Sequence, residues 1–71
     1  MSITLANHLS KRLRKLREKH KFTQEEIAER ASLGVRYYQL LESGDPADIR
    51  LSTLERLAKA FHLPPSELIK S

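Results

Sequence analysis

The sequence predicts an all-α fold, a compact bundle of five short helices, on three observations. Apolar residues recur at intervals of three and four. The two glycines and three prolines, Gly34, Gly44, Pro46, Pro64 and Pro65, fall only between those stretches, and nowhere does the chain alternate apolar and polar residues as a half-buried strand does. With 71 residues there is room for one domain, expected to span 1–71. Its single core supplies only ~3 to 5 kcal/mol. The absence of cysteine excludes disulfides, thiolate metal sites and a cysteine nucleophile, and fits a reducing compartment.

Leu5, Leu9, Leu13 and Leu16 step by four, four and three, placing them on one face of a first helix from Thr4 to His20. Lys11, Arg12, Arg14, Lys15, Arg17 and Lys19 fill its other faces. Thr23-Gln24-Glu25-Glu26 is a capping box that opens a second helix, with Phe22 and Ile27 spaced as a hydrophobic staple. Ile27, Ala28 and Ala31 form its inner face, and Ala-Ser-Leu-Gly at 31–34 interrupts it. A third helix runs from Val35 to Ser43, buries Tyr38 and Leu41, and stops at Gly44. A turn is expected at Asp45-Pro46-Ala47-Asp48. Ser52-Thr53-Leu54-Glu55 repeats the capping-box pattern and is expected to open a fourth helix with Leu54, Leu57, Ala58 and Phe61 inward. Pro64-Pro65-Ser66-Glu67 starts a short fifth helix, because proline suits a first turn where its missing amide costs nothing.

The chain carries 13 Lys and Arg against 9 Asp and Glu, a net charge of +4. Residues 1–35 hold eight basic and four acidic side chains, and residues 36–71 hold five of each. The whole excess therefore sits in the first half, where it suits a polyanion. No apolar run approaches the ~20 residues of a spanning helix, and Met1 to Asn7 lacks the apolar stretch of a signal peptide. The expected location is cytoplasmic. His8, His20 and His62 lack metal-ligand spacing and are expected to face solvent. No serine sits in a nucleophile elbow and no glycine-rich loop is present, so neither an enzyme nor a cofactor is predicted.

A capped helix, a break of about four residues and a second short helix form a helix-turn-helix, whose second helix enters the major groove of DNA. Arg17, Thr23-Gln24-Glu25-Glu26-Ile27-Ala28-Glu29 and Glu42-Ser43-Gly44 make the pattern specific, with nineteen residues from Thr23 to Glu42 and twenty-one to Gly44. The chain resembles the phage-repressor and Cro-type helix-turn-helix family over nearly its whole length, including Leu54, Leu57, Ala58, Phe61 and Ser66-Glu67-Leu68. The resemblance implies a lambda-repressor-like fold and a sequence-specific DNA-binding regulator, most simply a repressor on a two-fold operator. It implies that Gln24 contacts a phosphate, helped by the positive end of its helix, and that Val35, Arg36, Gln39 and Leu40 read bases. Their chemistry fits: Arg36 can pair with guanine, Gln39 with adenine, and Val35 or Leu40 can touch a thymine methyl. Tyr37 can donate its hydroxyl to a phosphate, and Arg17 is paired with Glu42 as a structural ion pair.

Two places depart from the family pattern. Ser32 stands where the turn usually has glycine, and the glycine comes two residues later as Gly34, so the left-handed turn conformation is expected to shift by a residue or two. The loop after the third helix is about one residue longer and carries Asp45 and Asp48, which repel phosphate unless they point away; Arg50 is then the candidate for the contact.

Bland readings stand beside these. The basic run on the first helix is, residue by residue, a solvated face that adds weakly to DNA encounter. On their own Arg36 and Gln39 are two polar residues on a surface helix. Leu40 cannot share a core with its neighbour Leu41, so it suits a groove or a partner surface, whereas Tyr38 and Leu33 read as core. A homodimer is expected, because one helix reads only a few base pairs. Phe61, Leu63, Leu68 and Ile69 are the candidates for its surface. The alternative reading is a protein-interaction module of the same fold, an antitoxin-like partner-binding protein docking through Val35, Tyr37 and Leu40. A membrane-surface helix at residues 5–19 ranks below both, since its apolar face is needed for the core. No segment offers an evident place for an effector ligand.

Overall fold

In a computed structural model, described over residues 5–44 and 49–69, the chain forms α1 (Leu5–His20), α2 (Gln24–Arg30), α3 (Val35–Ser43), α4 (Leu51–Ala60) and α5 (Pro65–Leu68). Among the described residues there is no strand. The all-α, five-helix prediction therefore holds. The start of the first helix at Thr4, the side chain of Leu5 and the turn at Asp45-Pro46-Ala47-Asp48 lie outside the described residues.

The helical periodicities converge on one core. Leu9, Leu13 and Leu16 of α1 meet Ile27, Ala28 and Ala31, then Tyr38 and Leu41 of α3, then Leu57, Ala58, Ala60, Phe61 and Leu68. Phe22 packs half-buried against this cluster, as a staple requires. α1 packs on α3 and α5, while α2 lies between α3 and α4. The apolar face of α1 is thus consumed in the core, which removes the surface a membrane-bound helix needs. No described helix is long and apolar enough to cross a membrane. Two of the expected dimer-surface residues, Phe61 and Leu68, are core in the single chain, 1% and 0% exposed. The α5 segment packs against α4 and α1, and both residues fall in the shared core, leaving Leu63 half-buried and Ile69 exposed.

α4 corrects the second capping box. The helix begins at Leu51, with Arg50 extended (φ −87°, ψ 151°) as a cap that makes no side-chain bond. The amides of Thr53 and Leu54 already donate to the Arg50 carbonyl at 3.1 and 3.2 Å, so the helix has started before Ser52 can cap it. The early start turns Thr53 inward and leaves Leu54 only half-buried.

Three helices end alike. Lys21, Ser32 and His62 each adopt a left-handed conformation, with φ of 59°, 57° and 60°. Each donates to a carbonyl three residues back, and the next residue donates five back: Phe22 to Arg17 at 3.0 Å, Leu33 to Ala28 at 2.8 Å, Leu63 to Ala58 at 2.8 Å. These are Schellman endings whose following apolar residue leans on the core. α3 ends instead on Gly44 at φ 78°. A β-carbon there would also approach Asn7 Oδ1 to 2.9 Å, but that side chain can swing aside, so the backbone conformation is the larger reason for glycine.

The arginines of α1 are not simply solvated. Arg12 Nε donates to the Glu67 carbonyl (2.9 Å), Arg14 Nη2 to the Glu42 carbonyl (2.9 Å) and Arg17 Nη1 to the Phe22 carbonyl (3.1 Å). Three cations of the basic run thereby tie α1 to the carbonyl-rich ends of α5, α3 and its own turn. Of the three histidines, His20 and His62 are exposed as expected, and His8 departs from expectation. His8 is half-buried with Nε2 enclosed and unpartnered, and His20 stacks on Phe22 at 5.5 Å between ring centroids.

Candidate nucleic-acid interface

The first capping box closes as its sequence requires. Thr23 Oγ1 accepts from the Glu26 amide (3.1 Å), and Glu26 Oε1 accepts from the Thr23 amide (2.8 Å). The Thr23 amide bond holds the Glu26 carboxyl below its ordinary range. Glu25 and Glu26 both sit in the first turn of α2. Their carboxylates offset the positive end of the helix dipole, so the expected help from that dipole toward a phosphate is reduced.

The turn between α2 and α3 keeps its left-handed residue on Ser32, contrary to the expected shift. Gly34 has an ordinary extended backbone (φ −65°, ψ 142°), and nothing lies within 4 Å of a β-carbon built there. The two helix axes are therefore set by a strained serine, while the nearby glycine is free of any conformational demand. Gly34 is the cap of α3 and supplies no side-chain bond.

Glu42 organises the back of α3. Its side chain is 5% exposed and receives Arg17 through Nε at 2.6 Å and Nη2 at 3.1 Å, a two-pronged ion pair. Tyr38 donates its hydroxyl to Oε2, and Gln24 Nε2 donates to Oε1 at 3.2 Å. Burial pushes the Glu42 carboxyl up, but these donors outweigh it and hold the group below its ordinary range. The Tyr38 hydroxyl is driven well above its ordinary range, by burial first and by Glu42 second. The bond to Glu42 raises the Arg17 guanidinium further. The cluster pins α1, α2 and α3 around one carboxylate.

The front of α3 is open. Val35, Arg36, Gln39 and Leu40 are exposed along one stripe, opposite Tyr38 and Leu41. Gln24 joins this stripe to the buried cluster. Its amide nitrogen serves Glu42 while its carbonyl oxygen accepts from Gln39 Nε2 at 3.4 Å, a long bond that still orients the Gln39 amide. Gln24, Val35, Arg36, Gln39 and Leu40 are thus brought together. Tyr37 is set apart, half-buried with its ring packed against the core. Arg50 is exposed at the start of α4. Sequence reasoning missed Ser43, which is exposed one turn beyond Gln39 and donates to the Leu40 carbonyl at 2.7 Å. It also missed the Gln24–Gln39 bond, for which paired amides fifteen residues apart across the turn are the only sequence signal. Among the described residues no three His, Asp or Glu side chains are grouped to hold a metal ion.

Residues 13–68 match the helix-turn-helix family, from the middle of α1 through the end of α5. The chain belongs to the Cro/C1-type helix-turn-helix family. As a member of that family it is a DNA-binding regulator with a lambda-repressor-like fold. In Cro/C1-type terms α2 and α3 are the helix-turn-helix, and α1, α4 and α5 hold it. No curated protein and no solved structure gives a significant match to the chain.

Proposed function

We propose that the whole chain, residues 1–71, is a single sequence-specific DNA-binding domain, a cytoplasmic repressor that acts as a homodimer on a two-fold operator. The observation that supports this reading best is the exposed α3 stripe, with Arg36 and Gln39 presented beside Val35 and Leu40 on a helix fixed from behind by Glu42. In the major groove Arg36 donates to a guanine edge, Gln39 pairs with adenine, and Val35 and Leu40 touch thymine methyls. Gln24, and Arg50 from the start of α4, contact phosphates, with the Tyr37 hydroxyl a further donor. Gln39 already leans on Gln24, so one amide sets the other's orientation. Two copies present two such helices to half-sites ~34 Å apart.

Selection from random duplex DNA tests the proposal. A palindromic site should emerge, and affinity should fall steeply as salt rises. Arg36→Ala and Gln39→Ala should each relax selection at one position of each half-site; unchanged selection in both variants sinks the assignment.

A second reading has one observation in its favour: Val35 and Leu40 are aliphatic residues 38% and 46% exposed on a surface helix. They suit a protein partner as well as a thymine methyl. A chain that selects no DNA site, but forms a complex that Leu40→Asp abolishes, is the interaction module instead.

A further inference from the structure

Between the C-terminal ends of α2 and α4 lies an open groove of about 440 Å³. Its floor is Ala31 and Ala60, both buried, and its rim carries Arg30, Arg56, Lys59 and His62. That volume falls within the ~300 to 1,000 Å³ typical of small-molecule sites. No carboxylate lines it. Among the described residues neither Arg56 nor Lys59 makes an ion pair, in contrast to Arg12 and Arg17 of α1. Arg30 is pre-positioned, its guanidinium carbon 4.6 Å from the centre of the Phe22 ring.

Two helix C-termini meet here, so the cations also face partial negative charge. Each terminus is worth about half a charge, roughly one in total. The three permanent cations exceed this by about two charges; Glu26, one turn back on α2, offsets part of the Arg30 charge, so Arg56 and Lys59 carry most of the surplus. The carbonyls of Ala28, Glu29, Ala58 and Lys59 are already taken by the Schellman bonds, which lowers the opposing field further.

We infer that this α2–α4 groove binds a small, multiply charged phosphate compound such as a nucleoside di- or triphosphate. The Arg30 and Arg56 forks bind phosphate oxygens, Lys59 adds a point charge, and the alanine floor accommodates the uncharged portion. The groove shares no residue with the exposed α3 stripe, so both faces can be occupied together.

The full chain is titrated calorimetrically with ATP and, separately, with inorganic tripolyphosphate. One ATP per chain is expected, and the double variant Arg56→Ala with Lys59→Ala should weaken it at least about tenfold, the factor that 1.4 kcal/mol represents. Both residues are exposed, so helical circular dichroism should not change. Lys11→Ala, on an exposed face of α1, should leave ATP binding as it was. Equal binding of tripolyphosphate would assign the affinity to the phosphates alone, and weaker binding would add a role for the nucleoside. Absence of ATP and tripolyphosphate binding, or binding that the double variant does not change, overturns the proposal. If the double variant instead lowers only affinity for duplex DNA and flattens its salt dependence, the groove belongs to a DNA-backbone footprint and the small-molecule site is wrong.

Discussion

The two faces of α3 put the same nine residues to opposite uses. On the inner face Tyr38, Leu41 and Glu42 are buried, and the charge among them is locked against Arg17. On the outer face Val35, Arg36, Gln39 and Leu40 remain exposed, and of their side chains only that of Gln39 bonds to another described residue. A charged residue is therefore no guide to what this helix presents. Glu42 is charged but buried and cannot reach a ligand, while the face that can is led by one arginine, one amide and two aliphatic side chains. The same holds for α1, where three arginines bind backbone carbonyls. Three of the eight cations of the first half are therefore structural.

The largest effect should come from breaking the inner face. Glu42→Ala strands the Arg17 guanidinium and the Tyr38 hydroxyl in a mostly buried cluster, at a cost of about 3 to 5 kcal/mol. That equals the whole stability expected of a core this small. Circular dichroism at 25 °C should show a mostly unfolded chain; a variant that melts as the parent does would mean that the ion pair contributes nothing. The same carboxylate makes stability depend on pH. Its folded value lies below the ordinary 4.5, so its contribution is complete above that value and is lost as pH falls through the folded one. Thermal melts from pH 7 to pH 2 should show this acid loss in the parent. It should be shallower in Glu42→Gln, which keeps one acceptor oxygen for these donors and cannot titrate, although its overall stability is lower.

Breaking the outer face should separate function from folding. Arg36→Ala should cost about 1 to 3 kcal/mol of DNA affinity. Its melting curve should stay within about 0.5 kcal/mol of the parent's, as for other exposed sites. A large loss of stability in this variant would show that the two faces are not independent.

The smallest effect sharpens the comparison at the turn that joins them. Ser32 is held left-handed at roughly 1 to 2 kcal/mol of backbone cost. Ser32→Gly should raise stability by up to about 1 kcal/mol in urea melts, less than the full strain because glycine also gains freedom in the unfolded chain. Gly34→Ser meets open space and an ordinary backbone, so it should be tolerated and can add the side-chain cap that α3 lacks, worth a few tenths of a kcal/mol. A loss on Ser32→Gly together with a loss on Gly34→Ser would show that Gly34, not Ser32, carries the left-handed conformation.

Much of this architecture could be read from the chain because its signals are local. Leucines at helical spacing, the Thr23–Glu26 box, Gly44 as a stop and Pro65 in a first turn each act within a few residues, where periodicity and capping operate. The spacing from Thr23 through Glu42 to Gly44 identified the family and the face of α3 because it fixes one helix against another over a short turn. Where local signals failed, contacts from distant residues decided. Ser52-Thr53-Leu54-Glu55 has the same form as the box that closes at Thr23, yet α4 starts earlier because Arg50 is already extended and Thr53 is drawn into the core. Phe61 and Leu68 looked available to a partner because chain order does not show α5 folding back on α1. The roles of Arg12 and Arg14 depend on which carbonyls lie within 3 Å after packing.

The sequence by itself determined the five helices, the core stripes, the family and the residues that α3 exposes. These follow from periods of three and four and from caps, which need only neighbouring residues. The tertiary structure alone decided which cations are spent on helix ends, that Ser32 carries the left-handed conformation of the turn, and how the ends of α2 and α4 meet as a cationic groove. For Arg12, Arg14 and the groove this depends on the packing of segments more than twenty residues apart, where backbone carbonyls and guanidinium groups meet only after the core has closed.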